Sequence, residues 1–484
     1  MKKILLGFAV LASMSFASCE GFLEQEPTGS QSDALTLSKY DGLNSAAAGL
    51  CGFLQSDSWM DGQLTMASEM MVGNARNPLQ EQGSGRYRLT TWNYHKSSTL
   101  GLYASGYYAI ACCNNVLNNL EGKTSNVVTE QMINNLRAEA LFMRAYCMHQ
   151  MVCLYGQPYS WLYDENGNLE QDASNELGIP VVLKTEFGFP ARNTVKEVYT
   201  QIVKDLLDAE AAIADDYVRA NVLDKAATVR KSTIQALLSR VYLHMENWQG
   251  AADYATKVIN SGKFNLAGPA EYKAMFGAAI APEGGEIIFE VYGSNQNAYW
   301  DNSGWAHLSY VTNFGEDGSA DVCATQDLID LYTEGDVRLE MYAENKGEYY
   351  TKKYPGKEGA AIPRYNNICL IRLSELYLTR AEALANGAKI TGISADMDMA
   401  AIAAARGVEP VAATPANIFD ERRRELAFEG HGFFDFHRSQ KSVVRKDYHE
   451  SKNQNVPFPS YQWALPIPLH EMDVNPNMVQ NPGY

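Results

Sequence analysis

Two segments of this chain combine flat aromatic rings with side chains that form hydrogen bonds. The later segment contributes five candidate contact residues, Tyr299, Trp300, Asp301, Asn302 and Trp305. The earlier segment contributes five more, Trp59, Arg86, Tyr87, Trp92 and Tyr94. A sugar ring has apolar C–H faces and equatorial hydroxyls, so its site needs aromatic platforms beside amides, carboxylates or guanidinium groups. Both segments are therefore candidates for contacts with a sugar.

The two segments differ in how well a core role would explain their aromatic residues. Trp92 and Tyr94 precede a predicted helix, and they suit core positions at its start equally well. Trp300 and Trp305 lie in a segment rich in Gly, Asn and Ser, where a core role is harder to justify. The four polar residues between these two tryptophans favour a turn that presents both rings on one surface. We therefore expect Trp300 and Trp305 to be the principal contacts.

The densest group of charges is Asp420–Glu425, followed by Glu429, Asp435 and Arg438. A hydrolase would need two of these carboxylates as an acid and a base. However, Asp420 and Arg424 are four residues apart on a predicted helix, and the other arginines can pair with the remaining acids. The segment is thus predicted to be structural.

Sequence signatures of catalysis are also absent. The chain has no G-x-S-x-G, P-loop, H-E-x-x-H or complete G-x-G-x-x-G motif, and no paired C-x-x-C. The eight histidines show no metal-ligand spacing, since even His431 and His437 are six residues apart. We therefore predict a protein that is not an enzyme, with no catalytic residue, no metal site and no cofactor. A structural calcium ion remains an open alternative.

Helical periodicity indicates the scaffold that must position these segments. Apolar residues recur at helical spacing from Ile234 to Tyr242, the pattern breaks at Asn247-Trp248, and a second apolar face runs from Ala251 to Ile259. A unit of about 34 residues is the period of a tetratricopeptide (TPR) helix pair. Similar patterns occur at ~100–155, at ~194–215 and at 373–384 with 417–428, where Ser374 is predicted as the N-cap and Gly387 lies near the C-cap.

We predict a mainly α-helical single domain over residues 36–484. Its scaffold of four irregular TPR-like helix pairs occupies ~100–265 and ~370–438. A variable loop-rich lobe with a few short strands, including Glu286–Tyr292, comes from ~56–98 and ~265–365 and carries the ligand site. Residues 460–484 form a C-terminal tail.

The N-terminus predicts export and lipidation. Lys2 and Lys3 precede an apolar run from Ile4 to Phe16, a small pair and then Cys19, which is typical of a signal peptide over residues 1–18. The apolar run is shorter than the ~18 residues of a membrane span. We expect acylation of Cys19, with residues 19–35 as a lipidated tether; ordinary secretion with a free thiol is the alternative.

Charge excludes one class of partner. The net charge is −17, and it becomes −19 once residues 1–18 and their two lysines are removed. Such a chain repels nucleic acid and does not lie flat on anionic lipid. We therefore expect no nucleic-acid partner, and contact with the membrane only through the lipid anchor.

Four blocks of the chain match the sequence pattern of one protein family. These blocks are Arg137–Tyr146, Arg372–Leu378, Asp420–Glu425 and the tail that ends in Gln480-Asn481-Pro482-Gly483-Tyr484. Together they resemble the SusD/RagB-type surface lipoproteins of Bacteroidetes. The resemblance implies a TPR-like fold, a cell-surface-facing position at the outer membrane and no catalysis. It also implies oligosaccharide or polysaccharide capture and delivery to a TonB-dependent, SusC-like outer-membrane barrel.

Three alternatives to this function stay open. Members of the family sit as lids on this barrel, and the same lid architecture carries peptides in some relatives. An all-α glycoside hydrolase and a purely structural TPR scaffold are the other two. Neither the aromatic segments nor the resemblance identifies a particular glycan.

Overall fold

A computed structural model describes residues 36–55, 59, 63–78, 92, 94–97, 100–163, 169–170, 176–293, 322–356, 366–446 and 454–484. Cys19 lies outside the described residues, as do Arg86, Tyr87 and the segment Tyr299–Trp305. Trp59, Trp92 and Tyr94 lie within them.

Helices dominate the described residues. Their bounds are α1 Tyr40–Gly49, α2 Gln63–Met71, α3 Leu102–Asn118, α4 Glu130–Tyr155, α5 Val195–Ala212, α6 Lys231–His244, α7 Trp248–Ile259, α8 Pro269–Met275, α9 Gln326–Ile329, α10 Leu373–Ala385, α11 Ala395–Arg406, α12 Pro415–Leu426, α13 Gly432–Arg438 and α14 Leu469–Val474. The predicted mainly helical fold is confirmed.

Successive helices pack side by side in the manner of TPR pairs. Helix α3 packs on α4, α4 on α5, α5 on α6, α6 on α7 and α7 on α10, which also contacts α11 and α12. Helix α4 is the centre of this stack, because it is buried on all sides from Ala138 to Tyr155. Most of its residues there are apolar and occur on every side of the helix, and the charged Glu139 and Arg144 are ion-paired with Arg219 and Asp205. The TPR-like architecture is thus confirmed.

Capping residues explain where several helices begin. The Thr194 hydroxyl accepts a hydrogen bond from the backbone N–H of Glu197, whose carboxylate accepts one from the N–H of Thr194 in return. The Asn247 side chain likewise accepts a hydrogen bond from the backbone N–H of Gly250, so the predicted break before α7 is confirmed.

The predicted cap of helix α10 is wrong. The helix begins at Leu373, and Arg372 occupies the N-cap position without a side-chain cap. Strand β8 (Ile368–Arg372) runs directly into the helix, so Ser374 is already its second residue. The Ser374 hydroxyl instead accepts a hydrogen bond from the guanidinium of Arg372. Gly387 follows the C-cap Asn386 with a φ of 102°, a conformation that favours glycine.

Short strands complete the described structure. The remaining strands are β1 Ala75–Arg76, β2 Leu162–Tyr163, β3 Leu169–Glu170, β4 Ile287–Val291, β5 Cys323–Ala324, β6 Tyr342–Asn345, β7 Glu348–Thr351, β9 Val443–Val444 and β10 Asn455–Val456. All pairings are antiparallel, in a four-stranded sheet of order β1-β5-β7-β6 and in the pairs β4-β8, β2-β3 and β9-β10.

The predicted strand at Glu286–Tyr292 corresponds to β4. All five residues of β4 are buried, so both of its faces belong to the core. Register shifts between Ile287 and Phe289 and between Phe289 and Glu290 mark an irregular ladder with β8.

The seven cysteines of the described residues are all free thiols. Four of them, Cys113, Cys147, Cys153 and Cys323, are buried, in agreement with their predicted role as small hydrophobic residues. Within the described part of the chain, no helix has the length and apolar composition that a membrane crossing requires.

Candidate functional site

Three of the predicted contact residues are core residues, which corrects the prediction for them. Trp59 is fully buried, and Trp92 and Tyr94 are 3% and 5% exposed. The indole N–H of Trp92 donates to the carbonyl of Met71 at 2.8 Å, and the ring packs edge-on against Trp463 with 4.8 Å between centroids. These rings anchor the earlier segment to the scaffold, because protein atoms already cover the faces that a sugar would need.

The described structure does show where the two aromatic segments are anchored. Strand β1 ends at Arg76, three residues before residues 79–91, and strand β5 begins at Cys323, directly after residues 294–321 and Val322. Arg76 and Cys323 are paired across the antiparallel ladder. The earlier segment therefore leaves the sheet beside the point where the later segment returns.

A second pair of strands fixes the other end of the later segment. Strand β4 runs into Gly293, whose backbone N–H donates to the Asn367 side chain at 3.1 Å. A Cβ atom on Gly293 would lie 2.2 Å from the carbonyl oxygen of Asn366, so only glycine permits this approach. Val291 and Ile368 are paired across β4 and β8. The segment is thus held at both ends by backbone pairing.

A buried ion pair supports the β1–β5 junction. The Arg76 guanidinium lies 2.6 Å from the carboxylate of Glu348 on β7, and both side chains are buried. The Cys323 sulfur lies 3.5 Å from Arg76 Nη1 and 3.4 Å from Glu348 Oε2. Arg76 therefore connects β1, β5 and β7 at the base of both segments.

The charged segment at 420–438 belongs to a buried network centred on Glu425. Five cations and five anions alternate in this network, which we call the charge cluster. Its members are Arg338, Lys353, Arg372, Arg406, Arg424, Glu286, Asp336, Glu421, Glu425 and Glu429. The cluster joins α11 and α12 of the scaffold to Glu286, which precedes β4, to β8 and to residues 336–353.

Glu425 contacts three guanidinium groups at once. Arg406 Nη2 lies 2.6 Å and Arg338 Nη1 lies 2.9 Å from its carboxylate, and Arg372 pairs with it as well. Burial alone would raise the pKa of Glu425, but Arg406, Arg372 and Arg338 hold this pKa well below its usual range. Glu429 shows the same balance, in which Arg372 and Lys353 outweigh burial and lower its pKa to about 2.

The predicted structural role of these acids therefore fits their contacts, although several partners differ from those expected. Arg424 pairs with Glu421, three residues away, rather than with Asp420. Asp435 contacts Arg422 at 3.1 Å and Arg438 at 2.8 Å, as expected. The partners that sequence reasoning missed are Arg338, Arg372 and Arg406, the last only 19 residues from Glu425 along the chain.

Two open cavities occur elsewhere among the described residues. A cavity of about 710 Å³ lies beside Tyr217, Arg230, Phe264 and Ala281. Another, of about 560 Å³, lies between helix α3 and an exposed loop that carries Phe187 and Phe189. Neither cavity is lined by a residue that was predicted to contact a sugar.

The fold and this site together define a TPR-like helical scaffold that anchors a second, loop-rich lobe through a buried charge cluster. Comparison with known proteins specifies the family. A family model described as "Starch-binding associating with outer membrane" matches residues 21–243, and the SusD family model matches residues 340–484. The chain belongs to the SusD family.

Individual relatives agree over nearly the whole chain. SusD-like protein P25 of Formosa agariphila is 22% identical over 98% of each chain. A crystal structure of a SusD superfamily protein from Bacteroides thetaiotaomicron superposes with a TM-score of 0.79 at 27% identity, covering 92% of this chain and 100% of that one. Surface glycan-binding protein A of the same species, solved with laminarihexaose, superposes with a TM-score of 0.73 at 18% identity, covering 92% and 99%.

Proposed function

We propose that this protein is a surface-facing outer-membrane lipoprotein that binds an oligosaccharide and delivers it to a TonB-dependent, SusC-like barrel. Membership of the SusD family supports this proposal, as does the fold shared with a protein solved in complex with laminarihexaose. Cys19 would carry the lipid, and residues 19–35 would span the distance from the membrane to the folded domain.

The observation that carries the proposal is the junction of β1 and β5. Residues 79–91 follow β1, and residues 294–321 precede β5. Because Arg76 and Cys323 are paired, the first segment starts close to the point where the second segment ends. These are the segments that contain Arg86, Tyr87, Trp300 and Trp305. We therefore assign the glycan site to the neighbourhood of the β1–β5 junction.

The contacts of the carboxylates favour binding without hydrolysis. A glycosidase needs a carboxylic acid that is protonated near neutral pH and a second carboxylate that reaches the substrate. Glu425 is ionised, fully buried and enclosed by three arginines, and the Asp435 carboxylate is similarly paired. Both groups are engaged in holding the fold together.

A glycan array on the purified mature protein tests the ligand class, and product analysis on the same samples tests for hydrolysis. Binding of a glycan without cleavage supports the proposal. Binding of peptides alone would assign the lid architecture to a peptide carrier, and cleavage would revive the hydrolase alternative. An absence of any ligand would leave a structural scaffold as the function.

Isothermal titration with the glycan selected by the array then tests the site. We expect an affinity of roughly micromolar to millimolar, because stacking gives a modest free energy per ring. Trp300→Ala and Trp305→Ala should each weaken binding by about 1–3 kcal/mol, by analogy with aromatic platforms for bases. Tyr108→Ala, which removes a 63%-exposed ring from helix α3, is the matched control. Unchanged affinity in both tryptophan variants would refute this assignment.

Glycine 293 offers a test that removes no aromatic ring. Gly293→Ala forces the start of the later segment away from the Asn366 carbonyl, so glycan affinity should fall while the helical scaffold stays folded. Gly188→Ala is the matched control, because nothing lies within 4 Å of a Cβ atom there. Equal affinity in the two alanine variants would argue against a role for this junction.

A further inference from the structure

Three side chains of metal-ligating type converge inside the helical scaffold, away from the proposed glycan site. His149 and Cys153 are four residues apart on α4 and therefore lie on the same face of that helix. His244 is the last residue of α6. One donor atom from each of the three lies within 4.8 Å of the others, and all three residues are buried.

The separations of the donor atoms match those of a tetrahedral metal centre. Cys153 Sγ lies 3.8 Å from His149 Nε2 and 3.6 Å from His244 Nδ1. Metal–sulfur and metal–nitrogen bonds of about 2.3 and 2.1 Å at the tetrahedral angle place sulfur and nitrogen about 3.6 Å apart. The Tyr199 hydroxyl lies 3.3 Å from the same sulfur, where a fourth, oxygen ligand would be placed.

We propose that His149, Cys153 and His244 bind a closed-shell d10 metal ion, zinc(II) or copper(I), with Tyr199 at the fourth position. Imidazole and thiolate ligands suit both ions. The site would be structural, since it links α4, α5 and α6 in the interior of the scaffold and is closed to a substrate.

The second ring nitrogen of His149 must also be satisfied if this residue binds a metal. When His149 binds a metal through Nε2, its Nδ1 carries a proton that needs an acceptor. Among the described residues, His149 Nδ1 has no hydrogen-bond partner although it is buried. A cavity of about 20 Å³ is lined by His149 and His244, and this volume is enough for one water molecule. Such a water would accept the Nδ1 proton.

Ligation also sets the charge of the centre. Imidazole binds a metal as the neutral ligand and cysteine as the thiolate, so metal binding displaces the Cys153 thiol proton to solvent as the metal–sulfur bond forms. Copper(I) then gives a neutral centre, whereas zinc(II) leaves one positive charge near the Arg240–Glu375 ion pair.

The sequence alone did not predict this cluster. His149 and Cys153 have the spacing of a helical ligand pair, but His244 lies 91 residues beyond Cys153. Only the packing of α4 against α5 and α6 brings the third ligand and Tyr199 to the pair.

Metal retention by the mature chain carrying Cys19→Ala tests the proposal, because this background lacks the N-terminal thiol. Protein is incubated separately with zinc(II), with copper(I) under a reductant and with cobalt(II), then desalted and analysed by mass spectrometry. We expect about one tightly held equivalent of zinc or copper, and a thiolate-to-cobalt charge-transfer band. The preferred ion distinguishes the two d10 candidates.

Variants locate the ligands. Cys153→Ser and His244→Gln should each lose the retained metal, whereas Cys147→Ser, a buried cysteine on the same helix, should keep it. Tyr199→Phe should weaken binding by roughly 10-fold. If Cys153→Ser does not fold, the cobalt band of the parent protein still reports on thiolate ligation. No retained metal and no such band in the parent, or a band that survives Cys153→Ser, would overturn the proposal and leave a hydrogen-bonded core cluster.

Discussion

Glu425→Gln tests the structural role of the charge cluster directly. The cluster holds five cations and five anions, so neutralising Glu425 leaves one uncompensated positive charge in the interior. Removing one partner of a buried ion pair costs about 3–5 kcal/mol. Glutamine keeps the size of the side chain and one acceptor oxygen, so we expect a loss of about 3 kcal/mol in the free energy of unfolding.

Urea unfolding followed by tryptophan fluorescence measures this loss. Glu409→Gln is the matched control, since Glu409 is exposed and just beyond α11, and it should change stability by less than about 0.5 kcal/mol. A double-mutant cycle with Arg406→Met separates the pairwise coupling from the cost of the uncompensated charge. Additive effects would show that the two side chains do not interact.

Either of two results would refute this structural role for Glu425. If Glu425→Gln unfolds at the same urea concentration as the parent, the charge cluster does not stabilise the fold. If the parent cleaves a glycan and the variant loses that activity at unchanged stability, Glu425 is catalytic and the hydrolase alternative is correct.

Three further predictions follow from other residues. Cys19→Ala should move folded protein from the membrane to the soluble fraction; membrane retention of the variant, with no lipid on the parent, would contradict lipidation. The pKa of Glu429 lies near 2, below its unfolded value of 4.5. Ionised Glu429 should therefore contribute about 3 kcal/mol to the free energy of unfolding above pH 4.5, and this contribution should be lost as the pH falls towards 2. Acid titration of unfolding should therefore be shallower in Glu429→Gln, and identical curves would contradict the ion pairing. Burial raises the pKa of Glu69 from 4.5 to about 6. As the pH rises from 4.5 to 6, the free energy of unfolding of the parent should therefore fall by up to about 2 kcal/mol relative to Glu69→Gln. A difference in stability that stays constant with pH would contradict this shift.

Local pattern was enough to predict the helical scaffold. The apolar faces from Ile234 to Tyr242 and from Ala251 to Ile259 lie within single windows of sequence, and the break at Asn247 is a capping signal. The cap of α10 was mispredicted because nothing near Ser374 indicates that a strand continues without a turn into the helix.

Long-range contacts explain what could not be predicted. Glu425 and Arg338 are 87 residues apart, and Arg372 is 53 residues from Glu425, so no periodicity connects them. The aromatic residues show a related difficulty. Composition marks Trp59 and Trp92 as large rings in a polar stretch, but burial depends on partners such as Trp463, which lies 371 residues beyond Trp92 along the chain.

The positions of the charge cluster suggest how the scaffold supports the proposed ligand site. Glu286 immediately precedes β4, which leads into the later aromatic segment, and Arg372 ends β8, the partner of that strand. Both side chains join Glu425 of the scaffold, directly or through Arg406. Ion pairs among Glu286, Arg372, Arg406 and Glu425 thereby fix the base of the second lobe to α11 and α12. A base held in this way reduces the conformational entropy that the proposed glycan site would lose on binding.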